Sequence, residues 1–220
     1  MQNVIITGAN RGIGLAMATQ FKQQGFEVYA LCRKTSPALT QLNVTVIEGV
    51  DVATPSGLTK LSQALSQVDI DILINNAGIL RDESLGDLNA DTIVEQFLVN
   101  ALAPLQVVDA LRSQLRAGSK VALITSRMGS IADNGSGGRY GYRMSKSALN
   151  AAGMSLAKDL ASVQVSVGLY HPGWVQTQMV GGSGDISAEQ AASRLFGLIL
   201  EQDMSQTGCF KHSNGDTLPW

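Results

Sequence analysis

The sequence predicts an α/β protein in which one doubly wound parallel sheet is covered by helices on both faces. Short apolar runs, which are typical of buried parallel strands, alternate along the chain with segments whose apolar residues recur at helical spacing. The chain is 45% hydrophobic and 15% charged and contains no linker or low-complexity tract. We therefore expect residues 1–220 to form a single compact domain.

The apolar runs predict the strands. They are rich in valine, isoleucine and leucine, as buried strands are. In chain order the predicted strands cover residues 4–6, 26–32, 44–47, 70–74, 121–124 and 163–169, with a last short strand near 209–210. Because a parallel sheet of this kind binds ligands beyond the carboxyl ends of its strands, functional residues are expected there.

The helices are predicted from their start signals and their apolar spacing. A first helix is expected from Ile13 onward, after a glycine-rich turn. Ser36-Pro37 and Thr54-Pro55 each combine an N-cap residue with a proline at the first helical position. Before the last helix, the segment 187–190 has the S-x-x-Q form of a capping box. Two longer helices are expected over about residues 89–111 and 139–160.

Charge and composition narrow the class of partner. The net charge of −2 and the pI near 5.6 give no electrostatic reason to expect nucleic acid, and no polybasic run or long uncharged apolar stretch indicates a membrane. Strand-forming residues begin at Asn3, which leaves no room for a signal peptide. Cys32 and Cys209 lie far apart and form no metal-ligand cluster. We expect a cytoplasmic protein with reduced thiols, no bound metal and a small-molecule partner.

A glycine-rich loop follows the first predicted strand. A strand that turns through glycines into a helix leaves the first N–H groups of the helix unpaired and directs its positive dipole end at a bound anion. Gly8 would allow the tight turn, Gly12 the approach of backbone to phosphate, and Gly14 the packing of helix on strand. This arrangement predicts a pyrophosphate-binding loop. An ordinary glycine-rich turn remains the alternative for this loop taken alone.

Tyr142 and Lys146 are four residues apart on a predicted helix and therefore share one face. A cation beside a phenol favours phenolate, so we expect the pKa of Tyr142 to lie below its usual value. Ser126, just after the fifth predicted strand, could hydrogen-bond a substrate oxygen from the other side. Taken alone, the Tyr/Lys pair also fits a solvated helix face. The alternative tyrosine, Tyr140, is followed at the same spacing by Met144 and lacks such a cation.

Five motifs occur in order along the chain. They are the loop Thr7-Gly8-x-x-x-Gly12-x-Gly14, then Asn75-Asn76-Ala77-Gly78, Ser126, Tyr142-x-x-x-Lys146, and Pro172-Gly173-Trp174-Val175-Gln176-Thr177. In this order they resemble the motifs of the short-chain dehydrogenase/reductase family, over essentially the whole chain. The residues around Tyr142 and the end of the sequence are most similar to its sniffer and C-factor-like branch. The resemblance implies a Rossmann-type sheet of about seven strands in the order 3-2-1-4-5-6-7.

The resemblance implies a catalytic set of Asn100, Ser126, Tyr142 and Lys146. Tyr142 would be the general acid in carbonyl reduction and the base in the reverse direction, Lys146 would lower its pKa and hold the nicotinamide ribose, and Ser126 would orient the carbonyl. Asn100 would hold a proton-relaying water through its backbone carbonyl. Pro104 supports this role, because it has no N–H to donate to the carbonyl four residues earlier.

The expected cofactor is NADP(H), with NAD(H) less favoured. In NAD-preferring sites an acidic residue after the second strand binds the adenosine ribose hydroxyls and would repel a 2′-phosphate. No acidic residue follows the second strand in this chain. Arg33 lies there and Arg11 lies in the glycine loop, so we expect these two arginines to bind the 2′-phosphate. Asp51 and Val52 resemble the family's adenine contacts, and Val175 and Thr177 its carboxamide contacts. The remaining expected cofactor residues are Gly8, Asn10, Gly12, Ile13, Gly14, Asn76, Ala77, Gly78, Tyr142, Lys146, Pro172 and Gly173.

The predicted substrate is an apolar aldehyde, ketone or quinone, because the expected pocket walls are apolar or aromatic. These walls are Leu80, Met128, Ile131, Trp174, Met179 and Val180. The favoured function is an NADPH-dependent carbonyl reductase. The alternative is a C-factor-like signalling protein that binds a dinucleotide with little or no turnover. Relatives commonly pair two helices into a four-helix bundle, which implies a homodimer and leaves a tetramer open.

Overall fold

A computed structural model describes residues 1–220 and contains one seven-stranded parallel sheet in the order β3-β2-β1-β4-β5-β6-β7. This confirms the predicted fold and strand order. The strands are β1 (Asn3–Thr7), β2 (Glu27–Cys32), β3 (Thr45–Glu48), β4 (Ile70–Asn75), β5 (Leu115–Ile124), β6 (Ser166–His171) and β7 (Cys209–His212). The α-helices are α1 (Gly12–Gln23), α2 (Pro37–Gln41), α3 (Pro55–Ala64), α4 (Ala90–Phe97), α5 (Ala103–Ala110), α6 (Tyr140–Asp159) and α7 (Ala188–Glu201).

Two apolar cores lie on opposite faces of the sheet. One contains Leu61 of α3, Val107 of α5 and Leu149 of α6, packed on Leu73 and Leu123 of the central strands. The other contains residues of α1, α2 and α7 packed on the alternate residues of the same strands. Since successive strand residues point to opposite faces, the continuous apolar strands feed both cores.

Three helix start signals act as predicted. The hydroxyl of Ser36 accepts a hydrogen bond from Leu39 N, and that of Thr54 accepts one from Gly57 N. Ser187 and Gln190 form a reciprocal capping box at the start of α7. Each cap satisfies amide groups that the helix itself leaves unpaired.

Two predicted strand boundaries are wrong. β5 begins at Leu115, six residues before the predicted start at Val121, and a register shift between Ile70 and Ile72 accommodates it against β4. β6 begins at Ser166, because residues Ala161–Val163 form a 3₁₀ turn and Gln164 adopts a left-handed conformation with φ of 58°. A left-handed residue breaks the extended backbone that a continuous strand would need.

The long helix predicted over 89–111 is interrupted. α4 ends at Phe97, Leu98–Leu102 forms a π-helical turn, and α5 begins at Ala103. Pro104 lies just past this turn and cannot donate to the carbonyl of Asn100, which favours the change of hydrogen-bond register. By length and composition the combined segment Ala90–Ala110 could cross a membrane, although the sequence led us to expect no membrane segment. In the fold this segment packs against α6.

Two helical glycines give a direct test of how tightly α6 packs on the sheet. A Cβ at Gly153 would lie 2.7 Å from Leu169 Cδ2 and 2.9 Å from Leu123 Cδ1, whereas a Cβ at Gly197 in α7 meets nothing within 4 Å. We expect Gly153→Ala to lower the free energy of unfolding by about 1–3 kcal/mol through overpacking. Gly197→Ala should raise it by about 0.5–1 kcal/mol. Urea unfolding measures both, and equal stabilisation by the two substitutions would show that α6 packs loosely.

Candidate active site

The glycine loop after β1 has no room for side chains at two of its three glycines. A Cβ at Gly14 would collide with the carbonyl oxygen of Gly8 and lie 2.5 Å from Nδ2 of Asn76, and a Cβ at Gly8 would lie 2.9 Å from Cα of Ala77. Gly12 is open, with Thr177 Cγ2 3.5 Å from the position of a Cβ. The loop therefore packs against the end of β4 at Gly8 and Gly14 and presents Gly12 toward the segment after β6.

The start of α1 fits the diphosphate of a dinucleotide. Arg11 is the N-cap residue, and its side chain makes no capping hydrogen bond. The first amide N–H groups of the helix therefore lack a side-chain acceptor and remain suited to an anion. Ile13 lies in this first turn, within α1.

Thr7 and Asn76 fix the loop to the sheet. The Thr7 hydroxyl accepts hydrogen bonds from the backbone N of Asn76 and of Ala77, at 3.0 and 3.1 Å. The Asn76 side chain donates to the carbonyls of Thr7 and Gly8. Thr7 was expected only as a member of the loop motif. Its burial and its position at the end of β1 show that it holds the start of the segment after β4 against the loop.

Tyr142, Lys146 and Ser126 come together at the carboxyl end of β5. All three are buried, at 9%, 5% and 6% exposure. Nζ of Lys146 lies 5.9 Å from the ring centroid of Tyr142 and donates to the carbonyl of Ile124 at 2.9 Å. Ser126 begins a short 3₁₀ turn, where its hydroxyl accepts from Met128 N at 3.1 Å. The Tyr/Lys pair is thus an interior cluster and not a solvated helix face.

The expected lowering of the Tyr142 pKa is wrong for this structure. Burial raises the pKa of Tyr142, and the hydrogen bond from Ser126 and the charge of Arg139 oppose that rise. Lys146 does not reverse this rise, because burial lowers the pKa of its own ammonium to about 8. The lysine is therefore already neutral at the higher pH at which the phenol titrates. Desolvation acts on both groups in favour of their neutral forms.

Asn100 lies within the π-helical turn and is completely buried. Its side-chain oxygen accepts from Ile79 N at 2.8 Å, and its Nδ2 donates to the Ile79 carbonyl and to the Ser145 hydroxyl. These bonds join the segment after β4 to α6, beside Gly78. The water-binding role of its backbone carbonyl stays a prediction.

Arg11 and Arg33, the two arginines expected to bind the 2′-phosphate of NADP(H), contact different residues in the structure. Arg33 lies 4.0 Å from the carboxylate of Asp51 and is largely exposed. Arg11 instead donates to the side chain of Gln178 at 3.0 Å, across the loop that follows β6. Asn10 is bound to the carbonyl of Lys34. The structure therefore brings Arg33 and Asp51 together and keeps Arg11 engaged elsewhere.

Val52, expected to contact adenine, is 8% exposed and belongs to a core cluster.

The segment after β6 lies over the glycine loop. The carbonyl of Pro172 accepts from Ser213 Oγ at 2.8 Å, and Gly173 has a φ of 100° that favours glycine. Val175 bridges Ile186, and Thr177 approaches Gly12.

A groove of about 470 Å³ lies beside the cluster of Tyr142, Lys146 and Ser126 and is lined mainly by charged, serine and glycine residues, whereas the sequence led us to expect an apolar pocket. Of the predicted walls only Met128 lines it; Leu80, Trp174 and Met179 lie outside its lining, and Trp174 and Met179 are about half exposed. The residues of this polar wall were not predicted from the sequence, because most of them follow β4 or precede α6, in segments without a recognisable motif. Its lining residues are Asp82, Glu83, Ser84, Asp87, Met128, Ser136, Gly137, Gly138 and Arg139.

Comparison with known proteins assigns the family. The family described as short chain dehydrogenase matches residues 2–186. The chain belongs to this family. It is 37% identical to the 1-hydroxy-2-glutathionyl-2-methyl-3-butene dehydrogenase of Rhodococcus sp. (strain AD45) over 226 residues, with full coverage of both chains. It is 41% identical to the C-signal of Myxococcus xanthus over 154 residues, which cover 69% of this chain and 93% of that protein.

Solved structures of carbonyl reductases have the same fold. The NADPH-bound carbonyl reductase from chicken fatty liver superposes with a TM-score of 0.90 at 25% identity, covering 100% of this chain and 99% of that one. The carbonyl reductase Sniffer of D. melanogaster superposes with a TM-score of 0.89 at 28% identity and full coverage of both. The resemblance to the sniffer and C-factor-like branch is thereby confirmed.

Within this family fold, the buried charge of Lys146 predicts a measurable pH dependence of stability. Its pKa is 10.5 when unfolded and about 8 when folded, so the unfolded chain binds more protons between these values and wild-type stability rises with pH there. We expect Lys146→Met to be more stable than wild type below pH 8. This advantage should shrink by about 3 kcal/mol between pH 8 and 10.5.

Urea unfolding of both proteins across that pH range measures the difference directly. Groups other than Lys146 titrate in both proteins and cancel in the comparison. A stability difference that stays constant with pH would show that the Lys146 ammonium is not penalised by burial.

Proposed function

We propose that the protein is an NADPH-dependent oxidoreductase that reduces a carbonyl group to an alcohol, with Tyr142 as general acid. The observation that carries this proposal is the buried cluster of Tyr142, Lys146 and Ser126 at the carboxyl end of β5. A protein that only binds a dinucleotide has no chemical need for such a cluster. The family assignment agrees with this chemistry.

The residues of the cluster divide the work of the reaction. A bound nicotinamide would supply a hydride to the carbonyl carbon and be left oxidised. Tyr142 would donate its phenolic proton to the carbonyl oxygen, and Ser126 would hold that oxygen by a hydrogen bond. Lys146, whose ammonium lies one helical turn from the phenol, would stabilise the phenolate that remains. In the reverse direction the phenolate would accept the proton of the alcohol.

NADP(H) is the proposed cofactor. Arg33 follows β2 and is largely exposed, and its only ion pair is the exposed 4.0 Å contact with Asp51, so its guanidinium would exchange that contact for bidentate hydrogen bonds to a 2′-phosphate. Arg11 would join it after release from Gln178. The NADPH bound to the chicken reductase supports this choice.

The substrate class is proposed to include carbonyl compounds or alcohols that bear a polar substituent. The name of the Rhodococcus relative places a glutathionyl group on its substrate, and that protein is similar over the full chain. The polar groove beside the catalytic cluster supports the same extension. Purely apolar aldehydes, ketones and quinones remain within the class.

A second candidate function is a regulatory, dinucleotide-binding role with little turnover. The identity of 41% to C-signal favours it.

We also propose a cytoplasmic homodimer. Val94 and Phe97 of α4 and Leu105 of α5 are 54%, 46% and 37% exposed, which suits a subunit interface on these helices. A tetramer stays open.

The first test is the rate of NADPH and NADH oxidation with a panel of aldehydes, diketones and quinones. We expect turnover that prefers NADPH and falls by about 10²–10⁴-fold in Tyr142→Phe, because the proton donor is lost. Tyr140→Phe is the matched control, since it changes the same group two residues away without a lysine one turn on. Binding of NADPH without turnover of any carbonyl would favour the regulatory function.

The phosphate contact is tested by Arg33→Ala. We expect KM for NADPH to rise by about tenfold while KM for NADH changes little, because only NADPH carries the 2′-phosphate. Arg112→Ala serves as control, since Arg112 precedes the amino end of β5, whereas Arg33 follows the carboxyl end of β2. An equal change in both KM values would assign Arg33 a structural role.

A further inference from the structure

We propose that the groove beside Tyr142 is a binding site for a zwitterionic tail of the substrate, one that carries an ammonium group and a carboxylate as an amino acid or short peptide does. The inference rests on the proposed function, because the tail would extend from the carbonyl group held at Tyr142. We call the nine lining residues given above the polar groove.

The polar groove adjoins the catalytic cluster at both ends of its lining. Met128 lies two residues after Ser126, and Arg139 lies three residues before Tyr142, about one helical turn away. Burial raises the pKa of Tyr142, and the charge of Arg139 is close enough to oppose part of that rise. A substrate with its carbonyl at Tyr142 can therefore extend directly into this groove.

The wall of the groove is held in place before any ligand binds. Arg143 donates to Ser136 Oγ at 2.8 Å and to the carbonyl of Gly137 at 3.3 Å. Asp133 is paired with Arg127. These bonds fix the glycine-rich segment between Ser126 and Tyr142, so a ligand meets a largely formed site.

Two of the groove's charged groups have no structural task that would withhold them from a ligand. Asp82 and Arg139 form an ion pair at 2.7 Å, and their side chains are 66% and 46% exposed. An exposed pair of this kind is worth about 0–1 kcal/mol, so its partners exchange for ligand groups at little cost. The nearby Asp87 is exposed. An ammonium group would pair with the two aspartates and a carboxylate with Arg139.

Glu83, by contrast, is a structural residue. It is 4% exposed, and its carboxylate accepts from the Thr92 hydroxyl at 2.8 Å, from Gln96 Nε2 at 2.7 Å and from Gly141 N at 3.2 Å. These bonds anchor the start of α6 to α4. The acidic groups left for a ligand are therefore Asp82 and Asp87.

Arg139 is held in a conformation that non-glycine residues rarely adopt. Its φ is 51°, and it follows Gly137 and Gly138, each with φ of 64°. The backbone N of Arg139 donates to the carbonyl of Glu83 at 2.8 Å. Such a conformation is unfavourable and persists because the surroundings impose it, and the residue held in this way lines the polar groove.

The test compares two substrates that share one carbonyl group and differ only in the tail. These are the adducts of methyl vinyl ketone with glutathione, whose tail carries one ammonium group and two carboxylates, and with mercaptoethanol, whose tail is neutral. With wild-type protein we expect kcat/KM for NADPH-dependent reduction to be at least about tenfold higher for the glutathione adduct. The ratio of the two values within one protein cancels any effect on the chemical step.

The variants are Asp82→Asn/Asp87→Asn and, separately, Arg139→Gln. Each should reduce the ratio to near one by lowering kcat/KM for the glutathione adduct. Asp69→Asn and Arg116→Gln are matched controls: these residues form an exposed ion pair at 2.6 Å, at the opposite end of β4 and β5, with side chains 71% and 52% exposed. Both controls should leave the ratio unchanged.

Calorimetry with S-butylglutathione, which has the tail but no carbonyl, separates this inference from the proposed function. Binding to wild type that weakens about tenfold in both groove variants supports the site even if neither adduct is reduced, in which case the reductase function fails alone. If the mercaptoethanol adduct is reduced as well as the glutathione adduct and S-butylglutathione does not bind, the inference is overturned and the function stands. The inference is also overturned if the groove variants leave both measurements unchanged.

Discussion

The site depends on the burial of the Lys146 ammonium between α6 and the end of β5. Only 5% of this residue is exposed, and its one hydrogen bond goes to the carbonyl of Ile124. Burial disfavours the charged form and lowers its pKa to about 8, so the fold spends stability to keep a cation there. A bound ligand that offers hydroxyl groups to this ammonium would relieve part of that penalty. Cofactor binding and protein stability are thus expected to be coupled through one side chain.

The close approach of α6 to the sheet makes that burial achievable. Gly129 allows it, because a Cβ there would lie 2.7 Å from the backbone of Lys146. Asn150 then joins the two sides: its oxygen accepts from the Thr125 hydroxyl at 2.7 Å, and its amide donates to the Gly129 carbonyl. The turn that carries Ser126 is therefore fixed to the same helix as Tyr142 and Lys146. Their relative positions follow from packing as much as from the motif residues themselves.

The sequence alone predicted the parts of this protein that depend on periodicity and on local backbone chemistry. The caps at Ser36, Thr54 and Ser187 are of this kind, whereas the strand order was expected only from the family resemblance. The π-helical turn at Leu98–Leu102 and the raised pKa of Tyr142 were not predicted, because they depend on hydrogen-bond register and on the depth of burial in the assembled fold. The polar groove escaped prediction for a related reason, since its walls come from two segments that are distant in sequence.

The proposed reaction and the proposed selection of the substrate depend on different parts of the fold. The first depends on the cluster of Tyr142, Lys146 and Ser126, and the second on the polar groove. Ser126, Tyr142 and Lys146, the residues proposed to act on the carbonyl, lie after the end of β5 and on α6, where they are buried. The groove is built largely from the glycine-containing segment between Ser126 and Tyr142 and from the segment after β4, both on the surface. Such segments tolerate changes that would disrupt a core. Under the proposed function, changes at Asp82, Asp87 or Arg139 would therefore alter which substrate is held while leaving Tyr142 and Lys146 in place.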